Sequence, residues 1–172
     1  NSGALQYVNN FGGVKVDASY LAAGGAANGD GGTGLGHTSS GWDFALTKVM
    51  SDNLTMYAGY GHVGNANVAA SEDDEYTVAG VYTMGAATLG LQMSRMDEGT
   101  ASGTDENTTL YGVAYNINDN LAVSYQVKDT EFDKSGSADV DEKTTGLGVS
   151  YTMGSMTLAV QNNKGANMAG VD

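Results

Sequence analysis

The sequence predicts an all-β fold, an antiparallel up-and-down β-barrel that crosses a membrane with strands. Three observations carry that prediction. Apolar and polar residues alternate at period two in segments of about ten residues, the strand period rather than the helical one. Short Gly/Asn/Asp/Ser turns alternate strictly with long polar connections. Tyrosines recur at matched distances from the short turns and bracket an aliphatic band, as the aromatic girdles of transmembrane barrels do.

Ten strands follow in order. The first runs near Ala4 to Val8 and descends into a short turn within Asn9 to Gly13. The second carries Lys15, Asp17 and Ser19 on its polar side and Tyr20 on the other. The outward sets are then Trp42, Phe44, Leu46 and Met50; Leu54, Met56, Ala58 and Tyr60; Tyr76, Val78, Gly80, Tyr82 and Met84; Ala87, Leu89, Leu91 and Met93. Tyr111, Val113, Tyr115 and Ile117 form the next, and Leu121, Val123, Tyr125 and Val127 give the clearest alternation in the chain. Leu147, Val149, Tyr151 and Met153 precede a last strand from Met156 to Asn163. Lys48 alone breaks the apolar face of its strand. The remaining short turns fall at Ser51 to Asn53, Gly85-Ala86, Asn118 to Asn120 and Gly154-Ser155, and the last four turns recur about every 34 residues. Tyr82, Tyr115 and Tyr151 stand two residues before the Met or Ile that precedes each turn, a ring at one height, with Tyr20, Tyr60 and Tyr125 farther away.

Composition excludes several classes. No stretch reaches the 18 or so apolar residues of a membrane helix. The absence of Cys removes disulfides and thiolate chemistry. A net charge of -13 argues against nucleic acid. The absence of Pro fits strands that must all donate ladder hydrogen bonds in a water-free medium. Many of the 26 Gly fall within strands, where they permit curvature and close packing.

The hairpin phrase Met50-Ser-Asp-Asn-Leu-Thr-Met-Tyr-Ala-Gly-Tyr-Gly61, with its counterparts at Gly80 to Leu91 and Gly148 to Val160, resembles the trimeric general porins of Gram-negative outer membranes. The resemblance runs over essentially the whole chain. It implies a barrel of about sixteen strands, location in the cell outer membrane, passive diffusion of small hydrophilic solutes and ions, assembly as a homotrimer, and an inward-folded constricting loop. A terminal aromatic strand, expected of the family, is not seen: the chain ends Ala169-Gly-Val-Asp172. With short turns on the periplasmic side, both chain ends fall on the extracellular side, so residues 1–172 read as one porin barrel domain that is an interior portion of a larger barrel.

No catalytic, metal-binding or cofactor constellation stands out, and no enzyme is expected. His37 and His62 lie in or beside loops without metal-ligand spacing. The run Asn28-Gly-Asp-Gly-Gly-Thr-Gly-Leu-Gly36 feeds no helix and repeats no nonapeptide, so it reads as an exposed loop rather than a phosphate or calcium site. The candidate pore-lining residues are Lys15, Asp17, Ser19, Asp43, Thr47, Thr55, Gln92, Ser94, Asn116, Gln126, Lys128, Gln161 and Asn163. Of the 20 acidic residues, 15 lie in the four long connections, Ala23 to His37, Gly64 to Glu75, Asp97 to Asn107 and Asp129 to Glu142, with Lys134 as their one base. That charge predicts a cation-preferring channel; the alternative is that the acidic loops merely stay solvated or bind divalent ions that bridge to lipopolysaccharide. The alternative is a non-conducting outer-membrane barrel acting as surface anchor or adhesin through those loops.

Overall fold

The computed structural model describes residues 4–22, 40–65, 71–99 and 104–167. Ten strands form one antiparallel sheet in sequential order: β1 (Ala4–Phe11), β2 (Val14–Leu21), β3 (Gly41–Ser51), β4 (Leu54–Asn65), β5 (Ser71–Met84), β6 (Ala87–Glu98), β7 (Thr104–Asn116), β8 (Leu121–Lys134), β9 (Val140–Met153) and β10 (Met156–Ala166). Each strand pairs only with its sequence neighbours, so every connection is a hairpin. Gly12 and Gly13 both have positive φ, the backbone of the tight turn whose twist suits a two-residue hairpin. At β7–β8 the side chain of Asn118 accepts from the backbone N–H groups of Asn120 and Leu121, each at 2.9 Å, and closes the turn locally.

Among the described residues the sheet has no hydrophobic core. Among the described residues Val127 is the one buried apolar side chain, while Leu91, Leu158, Val160, Met84 and Met156 each stay more than half exposed. The paired register sets all these on one face. Leu46 faces Ala58, which faces Val78, which faces Met93, and the row below runs Met56, Gly80, Leu91, Tyr111 and Val127. A sandwich would bury such a face against a second sheet, whereas a contiguous apolar face this broad requires an apolar solvent. On β5 it extends from Tyr76 to Met84, nine residues counted inclusively, the length a tilted strand needs to cross a bilayer.

The rows also show tilt. Tyr82 pairs with Leu89 and Leu89 with Val113, two residues from Tyr115; Tyr115 pairs with Val123 and Val123 with Val149, two residues from Tyr151. The three tyrosines therefore keep equal distance from their turns while the hydrogen-bonded row climbs by two residues per hairpin, the stagger that strand tilt imposes in a barrel. The row through Phe44, Tyr60 and Tyr76 climbs until it leaves the apolar band, at Arg95, Asn107 and Glu131.

Two expectations change. The long connections are shorter than the sequence suggested, because β5 to β9 continue past the apolar band. Glu72 to Glu75 lie on β5, Asp97 and Glu98 on β6, Asp105 and Glu106 on β7, Asp129, Glu131 and Asp133 on β8, and Asp141 and Glu142 on β9. Only Asp139 of the described set stands in a loop, and Asp30 lies outside the described residues. Ladder hydrogen bonds join backbone to backbone, so pairing persists where side chains turn polar, and cross-strand pairs such as Lys143 with Asp129, at 3.0 Å, support it. His62 is likewise in β4, half-buried, rather than beside a loop; His37 and the glycine run from Asn28 to Gly36 lie outside the described residues.

Lys48 resolves differently from its neighbours. Its ammonium donates to the carbonyl of Gly12 at 3.0 Å, reaching along the apolar face to the β1–β2 turn. The long stem stays on apolar surface while the charge reaches the turn end, as expected of snorkelling. Replacing it with Met should therefore change stability by no more than ~1 kcal/mol, since the charge already sits near the interface; the unfolding midpoint in urea measures this.

Candidate channel wall

The face opposite the apolar band is built row by row. One row carries Ser19, Asp43, Gly61, Glu75, Met96 and Glu106; the next Asp17, Ala45, Gly59, Thr77, Ser94, Thr108 and Thr130. Below them run Lys15, Thr47, Tyr57, Ala79, Gln92, Leu110 and Lys128, then Thr55, Val81, Gly90, Gly112, Gln126, Gly146 and Asn163. Gln161 faces Gly148, and Asn116 faces Ala122, on the same side. The register thus puts every candidate pore-lining residue on this one face.

Hydrogen bonds tie the wall together. Across strands, Gln6 donates to Asp17 at 3.1 Å and the Ser19 hydroxyl donates to Asp43; within β2, Lys15 pairs with Asp17 at 3.0 Å. Threonine pairs link β7 to β8 (Thr108 and Thr130, 3.0 Å) and β9 to β10 (Thr152 and Thr157, 3.0 Å). Glu75 and Glu106 form no ion pair among the described residues. Some wall glycines permit close approach. A Cβ at Gly59 would stand 2.9 Å from the Thr77 methyl, and one at Gly146 would stand 2.8 Å from Asn163 Oδ1. Gly59→Val is expected to cost ~1–3 kcal/mol by overpacking against Thr77, read as a lower urea midpoint.

The apolar face ends at an aromatic and charged margin that the sequence revealed residue by residue but not as a cluster. Trp42 and Tyr60 pack in a tilted pair with ring centroids 4.9 Å apart, as do Tyr60 and Tyr76, and His62 lies beside Trp42 at 5.7 Å. The Tyr60 hydroxyl donates to Asp74 at 2.6 Å, and His62 Nδ1 meets the same oxygen at 2.8 Å. Arg95 pairs with Asp97 on its own strand and with Asp105 on β7. The signal for this set is cross-strand register, which periodicity alone does not give. The polar face also holds apolar Tyr57, Val81 and Leu110, which the alternation did not pick out as wall residues.

Membrane-length tilted strands, one lipid-compatible face and one hydrophilic face define the wall of an outer-membrane β-barrel. The chain belongs to the Gram-negative porin family, whose model matches residues 1–163, and this places it in the outer membrane. Among solved structures it is similar to outer-membrane-expressed OmpT of Vibrio cholerae (TM-score 0.69, 17% identity, 95% of this chain and 54% of that one). It is also similar to in-vitro folded OmpT of Vibrio cholerae in its trimer form (0.70, 16%, 95% and 54%) and to a loop L8 deletion mutant of the same protein (0.71, 16%, 94% and 56%). No curated protein matches. The chain spans about half the length of the solved structures it matches.

Proposed function

We propose that this chain forms part of a general diffusion porin, a non-enzymatic, water-filled channel for passive ion transport and passage of small hydrophilic solutes. The observation that supports it is the pairing of an exposed apolar face with an opposite face in which Thr, Ser, Gln, Asn and Gly residues predominate. Such side chains suit bulk water, whereas a filled small barrel needs inward charges neutralised in networks. On this reading Lys15, Asp17, Ser19, Asp43, Thr47, Thr55, Gln92, Ser94, Asn116, Gln126, Lys128, Gln161 and Asn163 line the lumen. The ten strands belong to one barrel domain of about sixteen, so the native protein is larger than 17.6 kDa, which intact mass checks.

The channel is further proposed to be a homotrimer with cation preference, in contact with outer-membrane lipid and lipopolysaccharide. The family supports the trimer, and cross-linking in native membranes tests it: a monomer overturns it. The alternative is a non-conducting outer-membrane barrel that acts as surface anchor or adhesin through its long acidic connections, and conductance separates the two. Planar-bilayer recording is the deciding experiment. Stepwise ohmic conductance is expected; a barrel that inserts and passes no current overturns the channel reading.

A further inference from the structure

On β8 to β10 the polar face gathers side chains around one glycine. Gly146 on β9 pairs with Gln126 on β8 and with Asn163 on β10, so the three lie side by side. A Cβ built on Gly146 would stand 2.8 Å from Asn163 Oδ1 and 3.2 Å from Gln126 Nε2, so the two amides converge over that glycine, which is buried while both of them stay exposed. Lys128 stands two residues beyond Gln126 on the same face, opposite Thr144, and is exposed. It forms no ion pair among the described residues, unlike Lys15, which pairs with Asp17. From the short turns up to Lys128, the polar-face positions of β7 to β10 carry no other charge. The acids of this face stand farther from those turns: Glu106 pairs with Phe132, four residues past Lys128, and Glu142 lies two residues from Thr144.

We propose that this patch is a wall subsite for carboxylate-bearing solutes with an N–H or O–H donor beside the carboxylate, the chemistry of a short peptide's C-terminus. The inference rests on the diffusion-channel reading and adds a solute-holding site to it. The Lys128 ammonium and the Gln126 amide nitrogen are donors for the two carboxylate oxygens, one bond charge-assisted and one neutral. Asn163 Oδ1 is an acceptor for the adjacent donor, and the missing side chain at Gly146 is what lets the two amides come together. An inorganic anion would use the ammonium and leave the Asn163 acceptor without a donor, so the arrangement favours a solute that offers both. The acids near the mouth attract cations, so a carboxylate is held here by contact rather than by the summed field. One solvated ammonium binds weakly, which suits transport: binding must assist entry and still permit exit.

The test uses the native protein purified from outer membranes and reconstituted in planar bilayers in 1 M KCl, where the Debye length is ~3 Å and the field of the mouth is screened. N-acetyl-tetra-alanine and its C-terminal amide are added in separate runs; the two share one chain and nearly one volume, and only the first has a carboxylate. Saturable reduction of the current is expected for the acid, at a half-blocking concentration about tenfold below that of the amide. Lys128→Met should erase that difference, and Lys128→Arg should keep it. Gly146→Ala drives a methyl between the two amides and should raise the half-blocking concentration of the acid severalfold with every charge left in place. Equal block by acid and amide in the native protein, or a difference that survives Lys128→Met, overturns the subsite and leaves the channel intact. Absence of current before any peptide is added overturns the channel reading and the subsite with it.

Discussion

Leu91→Arg is expected to destabilise the protein by ~2–4 kcal/mol, the cost of a guanidinium on the lipid face near the bilayer midplane. Leu91 lies in the middle of the apolar band, paired with Gly80 on β5 and Tyr111 on β7, and is 51% exposed among the described residues. Gln126→Arg, one strand beyond Tyr111 on the opposite face, should cost less than ~1 kcal/mol, because water solvates the new charge. Urea unfolding of both variants in lipid vesicles measures the difference. Equal losses would mean that the two faces share one solvent, which the barrel reading forbids.

The second large effect concerns ion selectivity. Because the acids stand on strands, alternation divides them between two faces, and only one division can act on permeating ions. Asp43, Glu75 and Glu106 share one row of the polar face, while Asp74, Asp97, Asp105 and Asp129 stand on the other face, where His62, Arg95 or Lys143 pairs with each. The triple change Asp43→Asn, Glu75→Gln and Glu106→Gln should therefore reduce the potassium-to-chloride permeability ratio severalfold at low salt. Neutralising the outward acids should leave it nearly unchanged. The effect should fade as salt rises and the Debye length contracts from ~30 Å at 0.01 M to ~10 Å at 0.1 M. Reversal potentials across a KCl gradient read it directly, and a larger shift from the outward set would refute the assignment.

Asp74→Ala offers a smaller check on the aromatic margin. It removes the acceptor shared by Tyr60 and His62, two groups that then face interfacial water, so the loss should stay near ~1 kcal/mol. A drop above that would show that the cluster is buried against another subunit in the assembled protein.

Much of this architecture is written into the sequence because its signal is local. Period-two alternation assigns Leu121, Val123, Tyr125 and Val127 to one face without reference to any other strand, and the Gly-Ala and Gly-Ser turns fix where each hairpin reverses. The same periodicity put the whole candidate wall on one face, from Lys15 to Asn163. What alternation could not supply is everything that depends on pairing between strands. The continuation of β5 to β9 through their acidic ends depends on backbone hydrogen bonds that composition does not report, and Glu72 to Glu75 read as loop for that reason. The reach of Lys48 to Gly12 crosses from β3 to the β1–β2 turn, 36 residues away in sequence. The meeting of Trp42, Tyr60, His62, Asp74 and Tyr76 required the register that pairs Trp42 with His62, His62 with Asp74 and Tyr60 with Tyr76. The face of each residue follows from its parity along its own strand; its neighbours follow from register, which only the assembled sheet sets.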